Sequence, residues 1–148
     1  MIRISSELFH PGDELSAFEA DMDGAGGVVS FSGYVRPNSK ESNVIALELQ
    51  AYSPLTENGI QGALDRAMKR WPLTGLRVRH RIGRILSGEA IVFVAAASKH
   101  RRAAFEAADF VMDYLKTEAV FWKKEITSDG ANWIEPRQED YEDQKRWT

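Results

Sequence analysis

The 148-residue sequence contains no cysteine. Disulfides, thiolate metal sites and a cysteine nucleophile are therefore excluded, and the absence is compatible with a reducing compartment. No stretch approaches the roughly 18 consecutive apolar residues of a membrane span, and Met1 to Ser5 includes no apolar signal core. We therefore expect neither export nor a membrane partner, and a cytoplasmic protein is the default expectation.

The sequence also lacks the motifs of common cofactor and metal sites. It has three histidines, and none stands at metal-ligand spacing with another histidine or a carboxylate. A phosphate loop, a dinucleotide-binding fingerprint and a nucleophile elbow are missing. We predict neither a metal ion nor a bound cofactor.

Acidic and basic residues are concentrated in different parts of the chain, although the net charge is only −3. Residues 4–35 contain six acidic residues and no lysine or arginine, whereas residues 66–102 contain ten basic residues and a single acid, Glu89. This asymmetry predicts a basic surface that binds an anionic ligand. Nucleic acid is disfavoured as that ligand, because the protein is acidic overall and carries no nucleic-acid-binding motif.

The pattern of apolar residues predicts one α+β domain, with two main helices packed on a mostly antiparallel sheet. Strands at 28–36 and 44–52 are expected to pair as a hairpin across a long loop, with Ile45, Leu47 and Leu49 on one face. The nearly continuous apolar run 90–97 is typical of a central strand.

Two further segments have a distinctive charge pattern. Along 76–82, apolar side chains alternate with Arg77, Arg79 and Arg81, which predicts a half-buried strand with an arginine-covered outer face. The charged segment after Glu135 is either a docked tail or a segment that a partner orders.

The helix that follows residue 98 begins with basic residues. Ser98 is the predicted N-cap, which places His100 and Arg101 beside unpaired N–H groups and the positive end of the helix dipole. Cations there cost about 0.3–1 kcal/mol each, which a bound anion would offset. Two interpretations stay open: a phosphate or carboxylate site, or exposed basic side chains that tolerate a small penalty.

Lys116 and Lys123 are the candidate catalytic residues. A lysine acts as a general acid, base or amine nucleophile when burial or neighbouring cations lower its pKa. The alternative is that Lys116 is a favourable cation at a helix C-terminus and that Lys123 is an ordinary surface charge. Arg36, at the end of its strand, is an anion ligand or only a terminal charge, and His80 is interpreted as a hydrogen-bonded core residue. The residues alone predict an α+β protein with an anion site that uses a lysine.

Five blocks of sequence then carry a resemblance to a known family. They are Gly33-Tyr34-Val35-Arg36, Arg70-Trp71-Pro72-Leu73, His80-Arg81-Ile82-Gly83, Ser98-Lys99-His100-Arg101, and Asp113-Tyr114-Leu115-Lys116 with Phe121-Trp122-Lys123-Lys124-Glu125. In order and spacing they resemble the large, catalytic subunit of molybdopterin synthase, the MoaE family, over roughly residues 28–135. The resemblance implies an α/β hammerhead-type fold and a homodimer at the centre of a heterotetramer. It also implies a small ubiquitin-like sulfur-carrier subunit whose Gly-Gly tail bears a thiocarboxylate.

The resemblance also implies a reaction and its residues. Sulfur passes from the thiocarboxylate to the cyclic pyranopterin monophosphate, precursor Z, which becomes the dithiolene of molybdopterin. Lys116 matches the family's essential lysine and Lys123 its second active-site lysine. Arg36, His100 and Arg101 match the residues that bind the pterin phosphate and related anions. Arg137 matches a basic residue near the same pocket.

The match is weaker outside these blocks, and other functions stay open. We expect residues 1–135 to form the synthase domain and 136–148 a charged C-terminal tail. The loop 37–42 lacks the glycine that many relatives have, and Lys99 stands where a small residue is commoner. The competing function is a non-catalytic adaptor that binds a ubiquitin-like tail, with a nucleic-acid-binding module third.

Overall fold

The computed structural model describes residues 1–39 and 42–148. Lys40 and Glu41, in the loop 37–42 that lacks the glycine of many relatives, lie outside the described residues. The helices are α1 (Pro11–Asp21), α2 (Leu55–Arg70), α3 (Arg101–Thr117) and α4 (Gln138–Gln144), followed by a 3-10 turn at Lys145–Trp147. The strands are β1 (Ile2–Ser5), β2 (Gly27–Tyr34), β3 (Asn38–Ser39), β4 (Ser42–Ala51), β5 (Leu73–Arg81), β6 (Gly83–Leu86), β7 (Ala90–Ser98), β8 (Phe121–Thr127) and β9 (Gly130–Trp133). Within the described part of the chain, no helix is both long and apolar enough to cross a membrane.

The strands form two sheets. The first has the order β1-β5-β7-β2, in which β1 runs parallel to β5 and the other pairs are antiparallel. The second has the order β3-β4-β8-β9, with β6 also paired to β4, and its pairs are antiparallel. This architecture confirms the predicted α+β class, and α2 and α3 are the longest of the described helices.

The first sheet is covered on both faces, which makes β7 its most buried strand. On one face, Val94 packs with Ile60 of α2 and Val111 of α3. On the other face, Phe93 packs with Phe18 of α1. The prediction of a central apolar strand is therefore confirmed, because both faces of β7 meet helices.

The predicted hairpin between residues 28–36 and 44–52 is wrong. β2 pairs with β7, where Val29 lies opposite Ala96, and β4 pairs with β6 and β8. A long connection sets no strand register, so the faces that become buried decide the pairing. Val29 packs against the α2–α3 core, whereas Leu47 joins Ile85 in a separate cluster.

The predicted alternation along β4 also fails at one position. Leu47 and Leu49 are buried as expected, but Ile45 is 45% exposed while Ala46 is fully buried. The pairing of β4 with β8 shifts register between Val44 and Ala46. Such an irregularity changes the face of the sheet to which the next side chain points. The alternation of buried and exposed residues along the strand is therefore interrupted at this position.

The arginine face of β5 is covered, which corrects the prediction of an exposed basic surface. Glu14 of α1 lies 3.3 Å from Arg77 Nε and 3.5 Å from Arg79 Nη1. Arg81 Nη1 lies 3.2 Å from Glu89 Oε1, and Arg79 and Arg81 are buried. The acidic N-terminal part of the chain therefore neutralises Arg77 and Arg79, because α1 folds onto this face.

The C-terminal segment docks on α3 of its own chain. Arg146 Nη2 donates to Asp113 Oδ2 at 2.7 Å, and Trp147 Nε1 donates to the same oxygen at 2.6 Å. The Trp147 ring makes edge-to-face contacts with Trp71 and Phe110. Asp113 is only 8% exposed, because the docked segment covers it.

Candidate active site

Lys116 and Lys123 are brought together where α3 ends and β8 begins. Lys116 lies in the last turn of α3 and is exposed, whereas Lys123 is partly buried in β8. Burial first, and then the nearby cations of Lys116 and Arg36, lower the pKa of Lys123 to about 8 against the opposing effect of Asp140. The Lys123 amine is therefore partly unprotonated near neutral pH, as a proton-transferring group requires.

The short connection between the two lysines is anchored by local hydrogen bonds. Thr56 Oγ1 donates to the carbonyl of Val120 at 2.6 Å, which ties the connection to the start of α2. In β8, Lys123 is paired with Leu49 of β4. The backbone of Lys123 is thus held by the second sheet, while Lys116 is held by the helix that packs on the first.

A neutral histidine lies beneath the lysines. His80 of β5 is 6% exposed, and its Nδ1 lies 2.8 Å from the carbonyl oxygen of Arg81. Because a carbonyl only accepts, Nδ1 carries the proton and Nε2 is left as an acceptor. Burial lowers the pKa of His80 to about 4, opposed by that hydrogen bond and reinforced by Lys123 and Lys116. His80 matches its interpretation as a hydrogen-bonded core residue, but its place beside both lysines was not predicted.

Arg36 and a C-terminal acid complete the cluster around the lysines. Arg36 is exposed just beyond β2, and its charge acts on Lys123. Asp140 of α4 is only 7% exposed and interacts with the charges of both Lys116 and Lys123. Arg36 was predicted as a site residue, whereas Asp140 was missed.

Asp140 caps the start of α4 by accepting two hydrogen bonds from Arg137, the N-cap residue. The backbone N–H of Arg137 donates to Asp140 Oδ2 at 2.9 Å, and Arg137 Nη2 donates to Oδ1 at 3.3 Å. Burial by itself raises the pKa of Asp140, but the two hydrogen bonds from Arg137 and the charge of Lys116 bring it below its usual value. Arginine is not among the preferred N-cap residues, so the sequence carried no recognisable signal for this cap.

His100 and Arg101 lie at the other end of α3 from Lys116. Fifteen residues separate Arg101 from Lys116, which corresponds to about 22 Å along a helix axis. Within one chain, the structure therefore does not bring the two predicted anion ligands to the lysines. Arg101 and Arg102 are exposed in a first turn without an acidic residue, so the anion site predicted there stays a prediction.

The predicted N-cap of α3 is wrong. His100 is the N-cap residue, and no side chain caps the helix. Ser98 is fully buried at the end of β7, and its hydroxyl donates to the carbonyl of His100. Pairing of Ser98 with the ends of β2 and β5 holds it in the sheet, two residues before the helix cap.

The cluster combines four cations, one carboxylate and a neutral imidazole, drawn from widely separated parts of the chain. The cations are Arg36, Lys116, Lys123 and Arg137. Such an arrangement can bind an anion and transfer a proton through the Lys123 amine. Residues 1–39 and 42–148 include no group of three or more His, Asp or Glu side chains able to hold a metal ion.

Comparison with known proteins identifies the relatives of this chain. A family model described as MoaE protein matches residues 4–118. The molybdopterin synthase catalytic subunit of Pseudomonas aeruginosa is 48% identical over 146 residues, covering 99% of this chain and 97% of the relative. The structure of the molybdopterin biosynthesis MoaE protein from Burkholderia ambifaria has a TM-score of 0.82 and 39% identity, covering 99% of this chain and 97% of the other.

A more distant structure has the same fold. It is the protein-protein complex of subunits 1 and 2 of molybdopterin-converting factor from Helicobacter pylori, with a TM-score of 0.76. The matched chain is 21% identical, with 92% of this chain and 91% of that chain covered. At this identity the likeness shows the fold alone.

Proposed function

The chain belongs to the MoaE protein family, and we propose that it acts as the catalytic subunit of a molybdopterin synthase. In this function it is a sulfurtransferase that moves sulfur from the C-terminal thiocarboxylate of a small ubiquitin-like subunit to precursor Z, forming the molybdopterin dithiolene. The observation that carries the proposal is the Lys116–Lys123 pair, in which the pKa of Lys123 falls to about 8. A family with this activity requires such a group, because the thiocarboxylate is the nucleophile and the protein supplies proton transfer and charge stabilisation.

The two lysines have different roles in this proposal. Lys123 is partly buried and titrates near neutral pH, so it suits proton transfer as the cyclic phosphate opens and water leaves. Lys116 is exposed at the end of α3, where it meets the arriving thiocarboxylate as a cation. In its neutral form it can also attack the carbonyl carbon once the sulfur has bonded to the pterin, so that a transient amide forms while the C–S bond breaks and the sulfur stays on the pterin.

The proposed anion ligands are Arg36, His100, Arg101 and Arg137. Arg36 and Arg137 belong to the cluster around the lysines, whereas His100 and Arg101 lie about 22 Å away along α3 of the same chain. A pterin phosphate can meet both sets only if a second copy of the chain supplies one of them. We therefore propose a homodimer in which His100 and Arg101 of one protomer complete the lysine site of the other.

The small subunit and the cellular location are part of the same proposal. Two copies of the chain and two small ubiquitin-like subunits form a heterotetramer, with residues 1–135 as the synthase domain and 136–148 as its tail. The Helicobacter pylori structure with the same fold is itself a complex of two different subunits. The cytoplasm is the proposed location, which suits a sequence without cysteine.

The direct test combines the purified chain with precursor Z and a thiocarboxylated small subunit, and measures the dithiolene pterin. We expect product from the parent chain and little from Lys116→Ala. Lys124→Ala is the matched control, because the Lys124 ammonium lies 5.6 Å from the ring centre of Trp133 and outside the lysine pair. Turnover of the control should stay near that of the parent.

A second variant separates proton transfer from charge. Lys123→Arg keeps a cation at this position but stays protonated at neutral pH. We expect it to bind the small subunit and to lose about 10²–10⁴-fold in turnover, the usual value of a positioned acid or base. Binding of the small subunit without product from the parent chain would instead favour the non-catalytic adaptor.

A further inference from the structure

We propose that Asp140 is a positioning residue of the lysine site: the docked C-terminal segment carries its buried carboxylate to the Lys116–Lys123 pair. This inference rests on the proposed function for its effect on turnover. The placement of the carboxylate is independent of that function, because it follows from the contacts of the tail.

The first step is that the C-terminal segment is fixed at its far end. Trp147 Nε1 donates to Asp113 Oδ2 at 2.6 Å, and Arg70 Nη1 donates to the carbonyl of Trp147 at 2.8 Å. Arg146 adds a second hydrogen bond to Asp113 and lies 3.1 Å from Asp109. These contacts hold the tail against α2 and α3 after α4, so α4 cannot swing away while they persist.

The second step is that α4 presents Asp140 to the lysines and not to solvent. Asp140 is 7% exposed, whereas its neighbour Glu139 in the same helical turn is exposed. Arg137 donates twice to the Asp140 carboxylate, which fixes the orientation of its two oxygens. A buried carboxylate is costly unless it is hydrogen-bonded and near opposite charge, and both conditions are met here.

The third step is the charge balance around the lysines. Besides Asp140 and Lys116, the charge that acts on Lys123 is Arg36 beyond β2. The neutral His80 of β5 is affected by both lysine charges, and Arg137 at the start of α4 is bound to Asp140 itself. Arg36 and Lys116 both disfavour a second ammonium at Lys123, and Asp140 favours it. Asp140 therefore raises the protonated fraction of the Lys123 amine, and it attracts the otherwise exposed Lys116 side chain.

The test measures Lys123 directly, without requiring sulfur transfer. The full-length chain is labelled with trace acetic anhydride across pH 6–10, a range chosen to bracket a pKa of about 8, and acetylation at Lys123 is followed by mass spectrometry. Asp140→Asn removes the charge but keeps an oxygen that accepts from the Arg137 N–H, so the cap of α4 is retained. We expect the labelling midpoint of Lys123 to move to lower pH, because the ammonium loses its opposite charge.

Three further variants separate positioning from structure. Glu139→Gln removes the same charge from an exposed neighbour and should leave the midpoint unchanged. Asp140→Glu keeps the charge, so its midpoint should lie close to that of the parent. Trp147→Ala weakens the anchor of the tail and should move the midpoint in the same direction as Asp140→Asn. An unchanged midpoint in folded Asp140→Asn, or an equal shift in Glu139→Gln, would overturn the proposal.

Turnover provides the second readout. In the complete synthase, the pH profile of Asp140→Asn should shift in the same direction as its labelling midpoint. A chain that forms no dithiolene pterin contradicts the proposed function, yet the labelling result still decides whether Asp140 positions the lysines. A labelling shift without any shift in the pH profile of an active enzyme would show that Asp140 plays no part in turnover.

Discussion

The imidazole of His80 lies stacked on the ring of Phe121, with centroids 4.3 Å apart and planes inclined by 20°. His80 belongs to the first sheet and Phe121 begins β8 of the second, so this contact joins the two sheets directly below the lysines. The stack shields His80 from water, and burial is the first cause of its low pKa. The same packing therefore supports the site and keeps its histidine neutral.

His80 should make the stability of the fold depend on pH. Its pKa is about 4 in the folded protein, against 6.5 for a solvent-exposed histidine, so the unfolded state binds more protons between these two pH values. The contribution of His80 to the free energy of unfolding is therefore fully present above about pH 6.5. It falls by up to about 3 kcal/mol as the pH drops towards 4. Urea unfolding of the parent and of His80→Asn at several pH values measures this, and the variant should lose this part of the pH dependence. The same substitution at exposed His10 serves as the control; an equal loss there would contradict the assignment.

Glu14 should stabilise the fold through its ion pairs with two arginines of β5. It contacts Arg77 and Arg79, and all three side chains are largely buried. Glu14→Gln leaves two buried guanidinium groups without this charge, and we expect a loss of about 3 kcal/mol in the free energy of unfolding. Chemical denaturation measures the loss. The matched control is Glu19→Gln, an exposed acid on the same helix, which should change stability by less than about 0.5 kcal/mol.

The proposed two-chain site predicts complementation between inactive variants. Lys116→Ala and Arg101→Ala homodimers should each have little synthase activity. A mixed dimer has one site with both changes and one site with neither, so refolding the two variants together should restore activity up to about a quarter of the parent level. That limit follows from random pairing, in which half of the dimers are mixed and each contains one intact site. Activity no higher than that of the separate variants would contradict the shared site.

Several elements could be predicted from the sequence because their signals are local. The apolar run 90–97 predicted the central strand, and the basic residues after Ser98 were correctly predicted to open a helix, α3. Lys116 and Lys123 are close in the sequence, with a short connection between helix and strand, so their proximity could also be expected. His80 and Asp140 could not be placed there, because each reaches the lysines from a distant part of the chain through packing of whole elements.

Charge shows the limit of sequence reasoning most clearly. The sequence by itself determined where the cations are numerous, that two main helices pack on a sheet, and which strand is apolar throughout. Only the tertiary structure decided which cations remain available: α1 neutralises Arg77 and Arg79 through Glu14, whereas Lys116 and Lys123 lie together with one buried carboxylate from α4. The physical reason is that the energy of a charge depends on its burial and on its distance from other charges, and neither quantity follows from position in the chain.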